Sequence, residues 1–176
     1  MQFNIQSDSS TNSSLLIIPI LGTNPEAVLK EKLAGFTVNP SLFSGKKDTS
    51  YQLEIDGRLI LLIGLGDKPD VASIEKSFRR VLSKNKDLVE TSATIDFSDD
   101  FSTELIESAL VGFQLGAYSI GFFKQKKEGQ KDFSNLEINV ISSSQGIEKT
   151  CDRAAKIAAA KIEGFKLVDL PPNVVT

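Results

Sequence analysis

The stretch that decides the fold is Tyr51–Gly66, with the sequence Y-Q-L-E-I-D-G-R-L-I-L-L-I-G-L-G. Its first half alternates apolar and polar residues, which is typical of a strand with one exposed face. Its second half contains an uninterrupted apolar run from Leu59 to Ile63, which indicates a strand covered on both faces. Asp56-Gly57 lies between the halves and favours a two-residue hairpin turn. The stretch therefore predicts a hairpin whose second strand lies inside a sheet.

Outward from this hairpin, strand patterns alternate with single amphipathic helices along the chain. Helices are predicted over residues 24–35, 70–86, 102–119 and 146–164, and strands over residues 2–6, 15–18, 89–97 and 136–140. The first of these strands reads as an edge strand. This alternation is typical of an α/β domain with three layers, a β-sheet flanked by helices. The hairpin makes the predicted sheet mixed rather than all parallel.

Composition excludes several classes of protein. A chain of 176 residues is long enough for one domain, and its net charge of −3 lacks the basic footprint of nucleic-acid binding. The single cysteine, Cys151, excludes an internal disulfide and fits a reducing compartment. The polar N-terminus has no signal-peptide pattern, and the longest apolar run, Leu15–Leu21, is far below the ~20 residues of a membrane helix. We therefore expect a cytoplasmic protein with neither membrane nor nucleic acid as a partner.

Catalytic and metal-binding side chains are scarce. The chain has no histidine, which excludes His-based triads and the common zinc sites that contain histidine. Asp96, Asp99 and Asp100 form the densest carboxylate group but lack the spacing of a calcium loop. Cys151 falls on the apolar face of the last predicted helix and is expected to pack in the core. We assign no catalytic residue and no metal ligand to this chain.

Gly64-Leu65-Gly66 is one candidate ligand-binding turn. It follows a buried strand and precedes a helix, where a phosphate-binding loop would lie. The position of the third glycine of such a loop is Pro69, which has no backbone N–H to donate. A tight turn that needs glycine for its backbone conformation is the favoured interpretation. Ligand binding at Gly64, Leu65 and Gly66 is the alternative.

A second candidate is a basic loop with aromatic residues, which could contact a nucleic-acid backbone. The favoured interpretation is a solvated loop whose phenylalanines anchor it in the core, because the domain is acidic overall. The residues are Lys124, Lys126, Lys127 and Lys131, with Phe122, Phe123 and Phe133.

The last residues predict an extended exit from the domain. Leu170-Pro171-Pro172 stops the preceding helix, because proline fixes its own φ and disfavours the α conformation of the residue before it. We therefore divide the chain into a domain, residues 1–164, and the start of a linker, residues 165–176. Pro171, Pro172 and Asn173 are the linker residues assigned.

Three ordered stretches resemble the leucyl aminopeptidases, a family of two-metal cytosolic peptidases. Residues 167–176, L-V-D-L-P-P-N-V-V-T, resemble the family's L-V-N-x-P-x-N stretch. Residues 63–68 resemble its G-L-G strand end and polar turn. Residues 112–118, followed by Phe122-Phe123-Lys124, resemble its G-x-x-L-x-x-Y stretch with an aromatic-lysine sequence after it. The chain departs from the family at Phe165-Lys166, where Arg-Asp is usual, and at Asp169, where Asn is usual.

The resemblance implies that the chain is the non-catalytic, macro-domain-like N-terminal domain of such an enzyme. The family's two divalent ions, zinc or manganese, are bound by a C-terminal catalytic domain, so this chain alone is expected to be inactive and free of cofactors. The implied partners are its own catalytic domain and other subunits of a hexamer, whose access to peptide substrates it would help to shape. The alternative is a free-standing macro-like module that binds a nucleotide or ADP-ribose near Gly64–Gly66.

Overall fold

The computed structural model describes residues 1–6, 13–22, 26–33, 35–98, 101–119 and 131–170, without the side chain of residue 27. The strands are β1 (Gln2–Gln6), β2 (Leu15–Leu21), β3 (Thr49–Ile55), β4 (Arg58–Gly66), β5 (Ser92–Asp96) and β6 (Glu137–Ile141). The helices are α1 (Glu26–Lys32), α2 (Val71–Lys84), α3 (Thr103–Ala117) and α4 (Ile147–Asp169), with a short 3-10 turn at Lys86–Leu88.

The strands form one sheet in the order β1-β6-β5-β2-β4-β3, and β1 lies at one edge as predicted. Neighbouring strands are parallel except β3 and β4, which form the antiparallel hairpin. Its turn residues, Asp56 and Gly57, have φ of 51° and 78°. Two consecutive positive φ angles match the right-handed twist of the flanking strands. The prediction of a mixed sheet is confirmed.

Helices cover both faces of the sheet, so the three-layer prediction is also confirmed. Alternate residues of β2 belong to opposite cores: Leu15 and Ile17 pack with α2, α3 and α4, whereas Leu16 and Ile18 pack with α1. The core on the side of α2, α3 and α4 is the larger. The resemblance to macro domains in particular stays a prediction.

Helix ends follow the local chemistry of their sequences. The side chain of Asp70 accepts a hydrogen bond from the Ser73 amide at 2.7 Å and caps α2, while Ser102 caps α3. After α1, Gly35 adopts a φ of 89° and ends the helical path, as predicted. The predicted start of this helix at Asn24-Pro25 lies outside the described residues.

Strand β5 begins at Ser92 rather than at residue 89, and two further predicted boundaries are also wrong. Strand β2 continues past Pro19 to Leu21, and the reason is that β2 pairs with β5 only over Leu15–Ile17. Beyond that point the strand has a ladder partner on the β4 side alone, where a proline is less costly. Helix α4 does not end at Gly164 but continues to Asp169, because its last turn packs against α2 and α3, as described below.

Candidate functional site

The Gly64–Gly66 turn is a meeting point of three backbone segments. The Gly66 amide donates to the Gly45 carbonyl at 3.0 Å, and the Gly22 amide donates to the Gly66 carbonyl at 2.9 Å. A Cβ atom on Gly64 would lie 2.2 Å from the Lys46 carbonyl oxygen. Gly66 also has a φ of 76°, which favours glycine. Close chain packing therefore accounts for Gly64, and the positive φ accounts for Gly66, whose amide is already bonded. Ligand binding here stays an untested prediction.

Asp96 and Cys151, the potential metal ligand and the potential nucleophile, are buried. Asp96 is buried and pairs with Lys32 of α1, with Nζ–Oδ1 at 3.3 Å, and it also accepts from Ser98. Cys151 is buried, and burial and the nearby Asp152 raise the pKa of its thiol to about 11. The thiol is therefore protonated at neutral pH, a poor nucleophile and a poor metal ligand. Within the described residues no group of three or more His, Cys, Asp or Glu could hold a metal; Asp99 and Asp100 lie outside them.

Two members of the basic, aromatic loop can be placed. The Lys131 ammonium donates to the carbonyls of Asp87 and Val89 at 2.9 and 3.1 Å, so it ties the loop to the end of the 3-10 turn. Phe133 is buried in the larger core. Both observations match the interpretation of a loop anchored in the core. The other members, Lys124, Lys126 and Lys127 with Phe122 and Phe123, lie outside the described residues.

A cluster of side chains from α2, α4 and the residue after α3 surrounds the end of α4. The Tyr118 hydroxyl, just after α3, donates a hydrogen bond to Asp169 Oδ2. The Phe165 ring lies 5.6 Å from the Tyr118 ring between centroids, and the Arg79 guanidinium of α2 lies 5.1 Å from the Phe165 centroid. We call Arg79, Tyr118, Phe165 and Asp169 the exit cluster. It holds the last turn of α4 in one direction, immediately before Pro171, Pro172 and Asn173, which lie outside the described residues.

Ion pairs extend this attachment along the length of α4. Lys161 Nζ lies 2.6 Å from Glu75 Oε2 of α2, and Arg153 Nε lies 2.5 Å from Glu107 Oε2 of α3. The second pair crosses an open groove of about 300 Å³ between the first turns of α3 and α4. Both pairs are partly exposed, so each contributes little to stability. Their main effect is to orient α4 on its neighbours.

Loss of the Tyr118 hydroxyl tests the exit cluster. Tyr118→Phe is expected to lower the free energy of unfolding by about 1 kcal/mol, because Asp169 loses a hydrogen-bond donor. Partial burial and then the bond to Asp169 raise the pKa of Tyr118 to about 12. Since the folded pKa lies above the ordinary value of 10.0, this contribution is present below that pH and is lost as the pH rises towards 12. Urea unfolding of both proteins at neutral and alkaline pH measures the difference.

Tyr51→Phe is the matched control, because Tyr51 is the other tyrosine and its hydroxyl has no partner within the described part of the chain. We expect this substitution to change the free energy of unfolding by less than about 0.5 kcal/mol. In the Tyr51→Phe protein, the remaining tyrosine should titrate near pH 12 in an ultraviolet absorbance titration. Equal losses in the two variants, or an ordinary tyrosine titration, would show that the Asp169 contact is not formed.

Comparisons with known proteins give the chain its relatives. No family model matches it. It is 27% identical over 141 residues to the chloroplastic leucine aminopeptidase A1 of tomato, Solanum lycopersicum, over 76% of this chain. A solved variant of tomato leucine aminopeptidase superposes with a TM-score of 0.75 at 21% identity, over 100% of this chain and 40% of that one. The chain is homologous to the N-terminal part of the leucine aminopeptidases.

These matches cover only part of each related protein. The chain spans 24% of the length of the tomato relative, about a quarter of it. Two structures of the bottromycin maturation enzyme BotP, one of them in complex with Mn, also superpose with TM-scores of 0.65 and 0.64. They are 13% and 16% identical and match 93% of this chain, against 33% and 34% of the BotP chains. These two likenesses show the fold alone.

The leucine aminopeptidase homology confirms the family predicted from the three stretches and corrects the predicted location. The expectation of a cytoplasmic protein is wrong, because the tomato leucine aminopeptidase is chloroplastic. In the part of the chain that the structure describes, no helix has the length and apolar character needed to cross a membrane.

The exit cluster is what sequence reasoning missed in this domain. Tyr118 and Asp169 both lie inside stretches that resemble the family, and Phe165 and Asp169 are positions where the chain departs from it. Those departures were the only sequence signal noted that pointed to an unusual contact at the end of α4. They did not reveal the pairing, because Arg79, Tyr118 and Asp169 belong to three elements that are far apart in sequence.

Proposed function

We propose that this chain is the non-catalytic N-terminal domain of a leucine aminopeptidase, whose work is to contribute to oligomer assembly and to the access of peptides to the active site. The observation that carries the proposal is the homology to the N-terminal part of the tomato enzyme. The chemistry of the chain supports it, since the sequence has no histidine and its one cysteine is a buried, protonated thiol. The two divalent ions, zinc or manganese, would be bound by the catalytic domain.

The exit cluster supports a fixed connection to that catalytic domain. The end of α4 is held because its Phe165 packs against Tyr118 and Arg79, so the helix directs the following residues one way. On the outer side of the same turn, the side chains of Leu167 and Val168 are 65% and 84% exposed. Large apolar side chains next to a domain boundary are suited to cover by a neighbouring domain. We therefore place the first contact with the catalytic domain at Leu167 and Val168.

The experiment that tests this function replaces the homologous N-terminal region of tomato leucine aminopeptidase with this chain. The chimera is expected to hydrolyse leucine p-nitroanilide with Zn²⁺ or Mn²⁺ and to sediment with the oligomeric state of the tomato enzyme. The 176-residue chain alone is expected to show no metal-dependent hydrolysis. Metal-dependent turnover by the chain alone would overturn the assignment of chemistry to the other domain.

A matched pair of variants separates the connection from general folding. Leu167→Asp with Val168→Asp should lower the activity of the chimera, because the carboxylates would be buried at the domain contact. The same variant of the isolated chain should unfold at an unchanged urea concentration, because both positions are exposed there. An active, fully assembled Leu167→Asp, Val168→Asp chimera would contradict this placement of the contact.

A further inference from the structure

Strand β1 is an open edge of the sheet. It pairs on one side with β6, and within the described residues no strand lies on its other side. The Gln2 amide donates to the Leu136 carbonyl at 3.0 Å, so the backbone polar groups of Gln2 face β6. Because these groups alternate in a parallel ladder, those of Asn4 also face β6, and those of Phe3 and Ile5 face outward. The edge therefore presents two N–H groups and two carbonyls, from Phe3 and Ile5.

In the part of the chain that the structure describes, this edge has neither the charge, the proline nor the bulge that usually protects an edge strand. Natural sheets cover, bend or charge their edges, with lysine, proline or a bulge in the outer strand. The sequence of β1, Q-F-N-I-Q, has no charged residue and no proline, and its pairing with β6 is regular. The side chain of Ile5 is 41% exposed. The opposite edge differs, since β3 carries Glu54 and is flanked by Asp48 and Asp56 with positive φ.

The sequence of β1 is also complementary to itself when one copy is reversed. Antiparallel pairing centred on Asn4 sets Phe3 opposite Ile5, and Gln2 opposite Gln6, of the other copy. In this register each Phe3 exchanges both backbone hydrogen bonds with the facing Ile5, which satisfies all the outward groups named above. The apolar side chains meet on the face that carries the larger core, and the amide side chains meet on the other face. No charges of like sign are brought together.

We propose that β1 is a self-association edge, on which a second copy of this chain adds its own β1 in antiparallel orientation about a twofold axis at Asn4. This inference rests on the proposed role in oligomer assembly and names the contact that would perform it. A pairing of two short strands buries much less than the ~1,200–2,000 Å² of a stable interface. The isolated chain should therefore dimerise weakly, at high concentration, and the contact should strengthen where other domains hold the copies together.

Single cysteines test the register directly. Asn4 faces Asn4 of the other copy in a non-hydrogen-bonded pair with Cα atoms about 4.5 Å apart, a distance that a disulfide spans. The two Ile5 residues are offset by two positions, about 6.8 Å along the strands, and the strands lie about 5 Å apart, so their Cα atoms are about 8 Å apart and beyond the ~7 Å limit for a disulfide. Under mild oxidation, Asn4→Cys should therefore form a covalent dimer at least tenfold faster than Ile5→Cys. The native Cys151 does not interfere, because it is buried.

Exposure alone predicts the opposite order, which makes the comparison decisive. Ile5 is an exposed position, whereas Asn4 is only partly exposed, so random collisions would favour Ile5→Cys. Equal rates, or faster dimerisation of Ile5→Cys, would overturn the proposal. If the tomato chimera still assembles in that case, the proposed function stands and only its contact at β1 is wrong.

A second measurement uses the outward direction of the Ile5 amide. Ile5→Pro removes one donor from the open edge and leaves the ladder to β6 intact, whereas Ile5→Val keeps the donor. In sedimentation at high concentration, the weak dimer should be present in the original and in Ile5→Val and absent in Ile5→Pro. A dimer retained by folded Ile5→Pro would overturn the proposal. If Ile5→Pro does not fold, the disulfide comparison decides.

Discussion

Gly112→Ala is expected to lower the free energy of unfolding by about 2–3 kcal/mol. Gly112 and Gly116 lie one turn apart on α3, where it packs against α2. A Cβ atom on Gly112 would lie 2.1 Å from the Glu75 carbonyl oxygen, and one on Gly116 would lie 2.6 Å from that of Arg79. These are backbone atoms of a packed helix, so the methyl group can be accommodated only if the two helices move apart. That cost exceeds the ~1 kcal/mol that alanine gains over glycine in a helix interior.

Gly164→Ala is the matched control on α4. Gly164 is also within a helix, but it is exposed, and a Cβ atom there would meet nothing within 4 Å. The substitution should therefore raise the free energy of unfolding by about 0.5–1 kcal/mol, through helix propensity alone. Urea unfolding of both variants measures the two changes. A Gly112→Ala protein as stable as the original would show that α2 and α3 do not approach each other as closely as the structure indicates.

Asp96→Asn is expected to lower the free energy of unfolding by about 3 kcal/mol. The side chains of Lys32 and Asp96 are only 9% and 10% exposed, and Lys32 also donates to Ser98 Oγ at 3.0 Å. The same carboxylate acts on Arg58: burial lowers the pKa of that guanidinium, and the charge of Asp96 opposes the shift. Neutralising Asp96 would remove the carboxylate charge that pairs with Lys32 and acts on Arg58 on the α1 side of the sheet. Unfolding curves measured by circular dichroism give the loss.

A double-mutant cycle identifies the pair as the cause. If Lys32 and Asp96 interact directly, Lys32→Met combined with Asp96→Asn should cost at least about 1 kcal/mol less than the sum of the single changes. Glu163→Gln, which removes the partner of Lys166 in an exposed pair, is the control and should change stability by less than about 0.5 kcal/mol. Additive losses at Lys32 and Asp96 would contradict the ion pair as an energetic unit.

The elements that could be predicted are those whose signals are local. Asp56-Gly57 imposes its own backbone conformation, and Asp70 caps α2 by accepting from the amide three residues later, so the hairpin and the start of α2 follow from short segments. The end of α4 could not be predicted in this way. Gly164 is a weak helix former that usually marks a boundary, but contacts of Phe165 with Tyr118 and Arg79 compensate for its cost. Propensity was overridden by packing.

The candidate site shows the same division. Gly64–Gly66 was recognised as a glycine turn, but the segment that approaches Gly64, at Gly45 and Lys46, is not visible in any motif. Gly112 and Gly116 were recognised only as part of a family stretch. Glycine is required there because backbone carbonyls of α2 pack too close for a Cβ atom, and α2 precedes these residues by more than a helix length along the chain.

By itself, the sequence determined the classes of element, the mixed character of the sheet and the absence of histidine-based chemistry, because periodicity and composition act over a few neighbouring residues. Only the tertiary structure decided the strand order, the pairing of Lys32 with Asp96, the attachment of Tyr118 to Asp169 and the partner strand of β1. Periodicity states which face of an element is buried but does not name its partner. The partner is selected by the packing of the whole domain, where distant segments compete for the same surfaces.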